Sequence, residues 1–295
     1  MPRSLKCAVL VLTLILPSAL LAVEKGVVLR YVFSIDGFGK ERFESPTGLF
    51  IDRSKGELYI ADNGGHEVLI FDLKGYPLYR LGKKQGIKNP FDIAAHKDRI
   101  YLSEEGSADI KIFNYRGAQA GRISTNGKEK FYPGQIYISA GGNIYAVDKS
   151  KPSAVVFNAQ GKFIMEISGK FGSVADVSAD EGRIYLVTPY SRRVIQVYDS
   201  SGVRLMGFEA LEGQGGTLAL PVAAKPDKDG NIWVVDALHG IVIYDKDGRE
   251  IGRFSEYGKE KGQVFFPIDL DFDGSNMVYI LEKGAKRVSV FMIER

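Results

Sequence analysis

Three histidines, a recurring column of carboxylates and one short aspartate run are the residues whose types could do chemistry in this 295-residue chain. The histidines are His66, His96 and His239. Catalytic zinc takes three protein ligands and keeps an open position, so the count suffices only if the fold gathers all three. Asp62, Glu104, Asp148, Asp236 and Glu282 recur at one place in the pattern, with Thr188 standing there once. Converging carboxylates can hold a hard cation or act as general acid and base. They also have a plainer use, because Asp at a turn accepts from the backbone N–H groups that follow. A site needs one copy and a scaffold needs all of them, so repetition favours capping. The run D-L-D-F-D-G, with Asp269, Asp271 and Asp273, opens like a calcium loop, but its twelfth place is Ile280 and not Glu. Asp alternating with Leu and Phe reads instead as a half-exposed strand running into a turn.

Other chemistries lack their motifs. There is no G-x-S-x-G elbow, no C-x-x-C-H haem attachment, no phosphate-binding G-x-x-x-x-G-K-[ST] and no G-x-G-x-x-G entering a helix. Cys7 is the sole cysteine. A net charge of +3, with Lys and Glu mixed in the loops, gives no case for nucleic-acid binding.

The elements that would position these residues are strands. Six segments align as ELYIAD, RIYLSE, NIYAVD, RIYLVT, NIWVVD and MVYILE, each placing the column residue three after its aromatic. Their spacing is about 44 residues, within the range of propeller blades. A second set follows: VLIFD, IKIFN, AVVFN, VIQVYD, IVIYD and VSVFM. Both sets are β-branched and aromatic and bounded by Gly and Asp, as strands are. D/N-x-x-G turns end at Gly75, Gly117, Gly161, Gly202 and Gly248. Pro46, Pro90, Pro133, Pro221 and Pro267 open the units, with Val174 in the fourth. The expectation is an all-β, six-bladed β-propeller of four-stranded antiparallel blades. The sixth unit stops after VSVFMIER, so residues 28–35, VLRYVFSI, are expected to supply its missing strand and close the ring.

The start of the chain reads differently. Arg3 and Lys6 precede the apolar run from Val9 to Leu16, Pro17 and Ser18 break it, and small residues lead to Ala22. This is the layout of a signal peptide over residues 1–22, cleaved after Ala22, leaving 23–295 as the propeller. An uncleaved anchor from Cys7 to Val23 is the alternative, at the short limit of a span. Cleavage implies an exported protein, periplasmic or secreted, without disulfides. No later segment is apolar enough to span a bilayer, so no membrane insertion is expected, and a monomer is.

With these motifs in place, the chain resembles the NHL-repeat propellers. The resemblance rests on G-F-G-K-E-R-F-E-S-P-T-G, then IAD, then N-G-G-H-E-V in the first unit, and on Y-G-K-E-K-G-Q-V-F-F-P in the last. It spans residues 27–295, and units two to four have lost most loop residues. The family holds both binding modules and enzymes. Its enzyme relative, the peptide-amidating lyase, holds zinc with three histidines, two of them directly after the blade-opening proline. Thr47, Phe91, Gly134, Val222 and Ile268 stand there in this chain. The first expectation is therefore a non-enzymatic scaffold that binds an unidentified protein through its loop face, at Phe38, Tyr132, Tyr190, His239 and Tyr257, without a cofactor. Phe43, Phe131 and Phe265 are expected to pack between blades. The alternative is a metal-dependent hydrolase or lyase at the axial mouth, with one zinc or calcium ion on His66, His239, Asp62 and Asp236.

Overall fold

Alternation decides the architecture. In Glu57–Asp62, Leu58 and Ile60 point to one face and Tyr59 and Ala61 to the other, and all four are buried. A strand apolar on both faces must be covered on both sides, which a ring of stacked sheets provides. The computed structural model describes residues 27–125, 131–180, 182–209 and 218–294, and in it the chain forms six four-stranded antiparallel sheets. The segment read as a signal peptide lies outside the described residues.

Each blade runs outward from the axis. Blade 1 is Pro46–Asp52, Glu57–Asp62, Glu67–Asp72 and Pro77–Leu81, paired in that order. The inner strands of blades 2 to 6 are Pro90–His96, Pro133–Ile138, Asp176–Ala179, Pro221–Pro226 and Pro267–Phe272. The D-x-x-G turns form as read: Gly75 sits at a φ of 86° and donates its N–H to the Asp72 carbonyl, a conformation that suits glycine.

Six apolar clusters fill the gaps between blades. Leu58, Ile60 and Phe71 of blade 1 pack with Leu281 and Val290 of blade 6, while Tyr59, Ala61 and Ile70 pack with Ile93 and Leu102 of blade 2. Phe43 and Phe131 are buried in these gaps. Removing one such aromatic, Phe71 or Phe157, would cost about 3–5 kcal/mol.

The ring closes through its N-terminal strand. Val28–Ile35 pairs antiparallel with Arg287–Glu294, from Val28 opposite Glu294 to Ile35 opposite Val288, with one irregularity near Tyr31. The sixth sheet is thus built from both ends of the described chain, and its edge is covered.

Candidate functional site at the propeller axis

The inner strands turn one edge toward the axis, where among the described residues no further strand pairs with their N–H groups. Side chains must satisfy them. Two places along the strand from the unit-opening residue stand Gly48, Asp92, Gln135, Asp176, Ala223 and Asp269. Carboxylates occupy the even-numbered blades, and each takes a backbone N–H from the blade that follows. Asp92 Oδ2 accepts from Ile136 at 2.7 Å, Asp176 Oδ2 from Ala224 at 3.0 Å and Asp269 Oδ2 from Leu49 at 3.2 Å. Asp271, two residues on, accepts from Ile51 at 2.9 Å and from the Arg53 guanidinium at 2.8 Å. Gly48 allows the close approach of blades 1 and 2. A Cβ there would lie 2.2 Å from Asp92 Oδ1 and 2.8 Å from Asp92 Cα.

Into this ring projects Lys225 from the inner strand of blade 5. Its Nζ lies 3.4 Å from Asp269 Oδ1 and 5.7 Å from the centre of the Tyr137 ring. Lys225 and all four aspartates are buried, with under a tenth of their surface exposed. Burial works against its charge, but Asp269, Asp176, Asp92 and Asp271 surround it and together hold its pKa above the ordinary value. The carboxyls shift upward too, which for them favours the neutral form. Burial pushes Asp269 up to about 6 despite the attraction of Lys225. Burial also raises Asp176, and it raises Asp92 further, with Asp269 adding repulsion. Burial lifts the Tyr137 phenol to about 12. The axis therefore combines a fixed cation with one carboxyl, Asp269, able to hold or release a proton in mildly acidic solution.

The column read from sequence does a different job. Asp62 accepts from the N–H groups of Glu44 and Ser45 at 2.8 and 2.7 Å, Glu104 from Lys88 at 2.6 Å, Asp148 from Tyr132 at 3.2 Å, Asp236 from Leu220 at 3.1 Å and Glu282 from Phe265 at 2.7 Å. Each pins the preceding loop, which enters its own blade; the expected capping of the loop that follows is made by Asp62 to Gly65, Asp148 to Ser150, and Asp236 to Leu238 and His239. The reading of D-L-D-F-D-G needs correction. Only Asp273 belongs to the turn, accepting from Ser275 and Met277, whereas Asp269 and Asp271 lie buried on the inner strand facing the axis.

The residues of the metal alternative are not drawn together. His66 Nδ1 is bonded to the Lys88 carbonyl at 2.5 Å, and His239 gives its backbone N–H to Asp236 Oδ1 at 2.9 Å. Asp62 and Asp236 spend their oxygens on backbone amides, and among the described residues no three His, Cys, Asp or Glu side chains group to hold a metal ion. This donor set does not fit zinc or calcium. His96 ends its strand at the opposite face, where burial lowers its pKa.

The expected contact residues differ among themselves. Tyr190 is 77% exposed and His239 is exposed. Phe38 instead packs on Phe71 at 5.5 Å beneath the Arg80 guanidinium. Tyr257 gives its hydroxyl to the Ala237 carbonyl at 3.2 Å and meets the Phe265 ring at 5.4 Å, and Tyr132 is half-buried. Lys225, Asp92 and Asp176 escaped the sequence reading. Aligning the inner strands from their opening prolines would have set them in two columns, because that offset fixes which side chains face the axis.

No protein-family model matches the chain. Suppressor of Quenching 1, chloroplastic, of Arabidopsis thaliana is 21% identical over 72% of this chain, which spans 26% of that relative's length. Among solved structures, a gluconolactonase from Xanthomonas campestris superimposes with a TM-score of 0.68 at 14% identity, over 91% of this chain and 95% of its own. A streptogramin B lyase superimposes with a TM-score of 0.64 at 12% identity, over 92% and 99%. The shared feature is the six-bladed propeller. Both of these neighbours carry enzyme names, so the expectation of a non-enzymatic protein-binding scaffold is not supported.

Proposed function

We propose that the chain is an exported, monomeric enzyme of NHL-like repeat type, a hydrolase or lyase working at the axial mouth of its propeller. The observation that carries this reading is Lys225 enclosed by Asp92, Asp176, Asp269 and Asp271, with Asp269 poised at about 6. Lys225 would steady the oxygen that gains negative charge when an ester or lactone carbonyl reacts. Asp269 would take one proton, from water in hydrolysis or from carbon beside the carbonyl in elimination, and deliver it to the departing oxygen. The gluconolactonase and lyase neighbours support this class of chemistry. His66, Asp62 and Asp236 are turned to other partners and take no part in these steps.

The test is turnover of a panel of lactones and esters between pH 5 and 8, by wild type, Lys225→Met and Asp269→Asn, each checked for native circular dichroism. Turnover in wild type, lost at least about a hundredfold in both variants, supports the axial site. Absence of turnover by folded wild type across the panel, or its survival in Lys225→Met, refutes it.

A further inference from the structure

Blade 4 departs from the other blades at two places that lie together. The first is on its outer strand, Arg204–Glu209. In blades 1, 2 and 5 the corresponding outer-strand position is Arg80, Arg122 or Arg253, opposite Leu69, Lys111 or Val242, and each arginine meets a carboxylate. Blade 3 has Glu166 there, paired with Lys151 at 2.9 Å. Blade 4 has Gly207, opposite Gln196. The second departure is Thr188, which replaces the loop-capping acid. Its hydroxyl donates to the Arg193 carbonyl at 2.8 Å, and the Gln196 amide donates to the same oxygen at 2.9 Å.

Together these changes shape a basic hollow. A cavity of about 530 Å³ is lined by Arg193, Arg204 and Gly207, with Leu205 and Met206 giving it an apolar side. A smaller one of about 200 Å³ shares both arginines and adds Lys170, Ser191 and Arg192. A Cβ on Gly207 would sit 2.9 Å from Arg193 Cδ and 3.2 Å from Arg204 Nη2, so the missing side chain makes this room. Glu209 answers two of the cations, Arg192 at 3.2 Å and Arg193 at 3.7 Å. Neither Lys170 nor Arg204 has a carboxylate partner among the described residues. Ser191 Oγ is one of two buried side-chain polar atoms among them without a hydrogen-bond partner.

We propose that this hollow is a binding site for a small oxyanion ligand, one carrying phosphoryl or clustered carboxylate groups on an apolar body. Guanidinium forks at Arg193 and Arg204 match such groups in geometry as well as charge. The Thr188 and Gln196 bonds hold the Arg193 backbone in place before the ligand arrives, which reduces the ordering cost of binding. Leu205 and Met206 would meet the apolar part. The site lies on the outer strand of blade 4, apart from the axial cluster, and stands whether or not the axial proposal does.

The test is calorimetric titration of the full chain with inorganic pyrophosphate and, separately, citrate. Wild type is compared with Arg193→Gln/Arg204→Gln, with Gly207→Ala, which crowds a methyl group against Arg193 and Arg204 and keeps every charge, and with Arg253→Gln as a control in blade 5. Saturable binding at one site per chain, weakened at least about tenfold in the first two variants and unchanged in the control, is expected. Preference for pyrophosphate identifies a phosphoryl ligand and preference for citrate a polycarboxylate. No saturable binding of either, or equal weakening in Arg253→Gln, overturns the proposal.

Discussion

Replacing Lys225 with Met tests the axial cluster as a coupled unit. Met keeps most of the length and apolar stem of Lys while removing the one ammonium that faces Asp92, Asp176, Asp269 and Asp271. Breaking a buried ion pair by deleting one partner costs about 3–5 kcal/mol, because the surviving charge stays buried. Here the survivors can lower that cost by taking up protons. With Lys225 gone, the carboxyls lose an attraction that lowers the pKa of Asp269, Asp176 and Asp92, so their folded values rise further. A carboxyl whose pKa is raised by folding stabilises the native state below its unfolded value, and that contribution is lost as pH rises through the folded value. The variant must therefore be penalised more at neutral pH than in acid. Urea unfolding of wild type and variant at pH 7.5 should differ by about 3–5 kcal/mol. At pH 5.0 the gap should narrow by at least about 1.4 kcal/mol, the effect of one extra bound proton across one pH unit. A difference under about 1 kcal/mol at pH 7.5, or one that does not change with pH, would refute the reasoning.

Asp269→Asn makes the neutral form permanent. Because burial lifts this carboxyl from 3.8 to about 6, the stability of the variant relative to wild type should rise between pH 4 and 7, by up to about 3 kcal/mol in denaturant titrations. Gly48→Ala drives a methyl group into Asp92 of the adjoining inner strand and should lower stability by about 1–3 kcal/mol, read from the urea midpoint. Deleting Val28–Ile35 uncovers the edge of Arg287–Glu294, and size-exclusion chromatography should then show dimers or larger species through edge pairing.

The architecture was legible because it is written six times. ELYIAD and its five counterparts carry alternation, turn residues and spacing together, and the incomplete sixth unit foretold the pairing of Val28–Ile35 with Arg287–Glu294. The axial cluster was harder to see. Asp92, Asp176 and Asp269 are separated by whole blades, and what unites them is convergence on an axis that only ring closure creates. Asp269 and Asp271 looked half-exposed because their alternation with Leu270 and Phe272 matches a sheet with one wet face. The polar face here turns inward, onto Lys225 and the neighbouring N–H groups. Phe38 misled for a related reason: a loop aromatic looks exposed in sequence until Phe71 and Arg80 are found against it.

Repetition also separates scaffold from site within the finished ring. The loop-capping acids occur in five blades and tie each blade to its own entry loop, while the aspartates of blades 2, 4 and 6 tie each of these to the next blade. Both sets follow the symmetry of the fold and satisfy backbone amides, and Asp269 also lies within ion-pair distance of Lys225. Lys225 occurs once. Its equivalents in the other blades are Phe50, Ala94, Tyr137, Ser178 and Asp271, so nothing in the blade architecture calls for a buried ammonium at that place. A buried charge is costly unless compensated, and an apolar side chain there could avoid that cost. The same contrast marks Gly207, where blades 1, 2, 3 and 5 each place a paired charge. Positions that break a sixfold pattern at an energetic cost are where selection for something other than folding would be expected to act, and in this chain they fall at the axis and on the outer strand of blade 4.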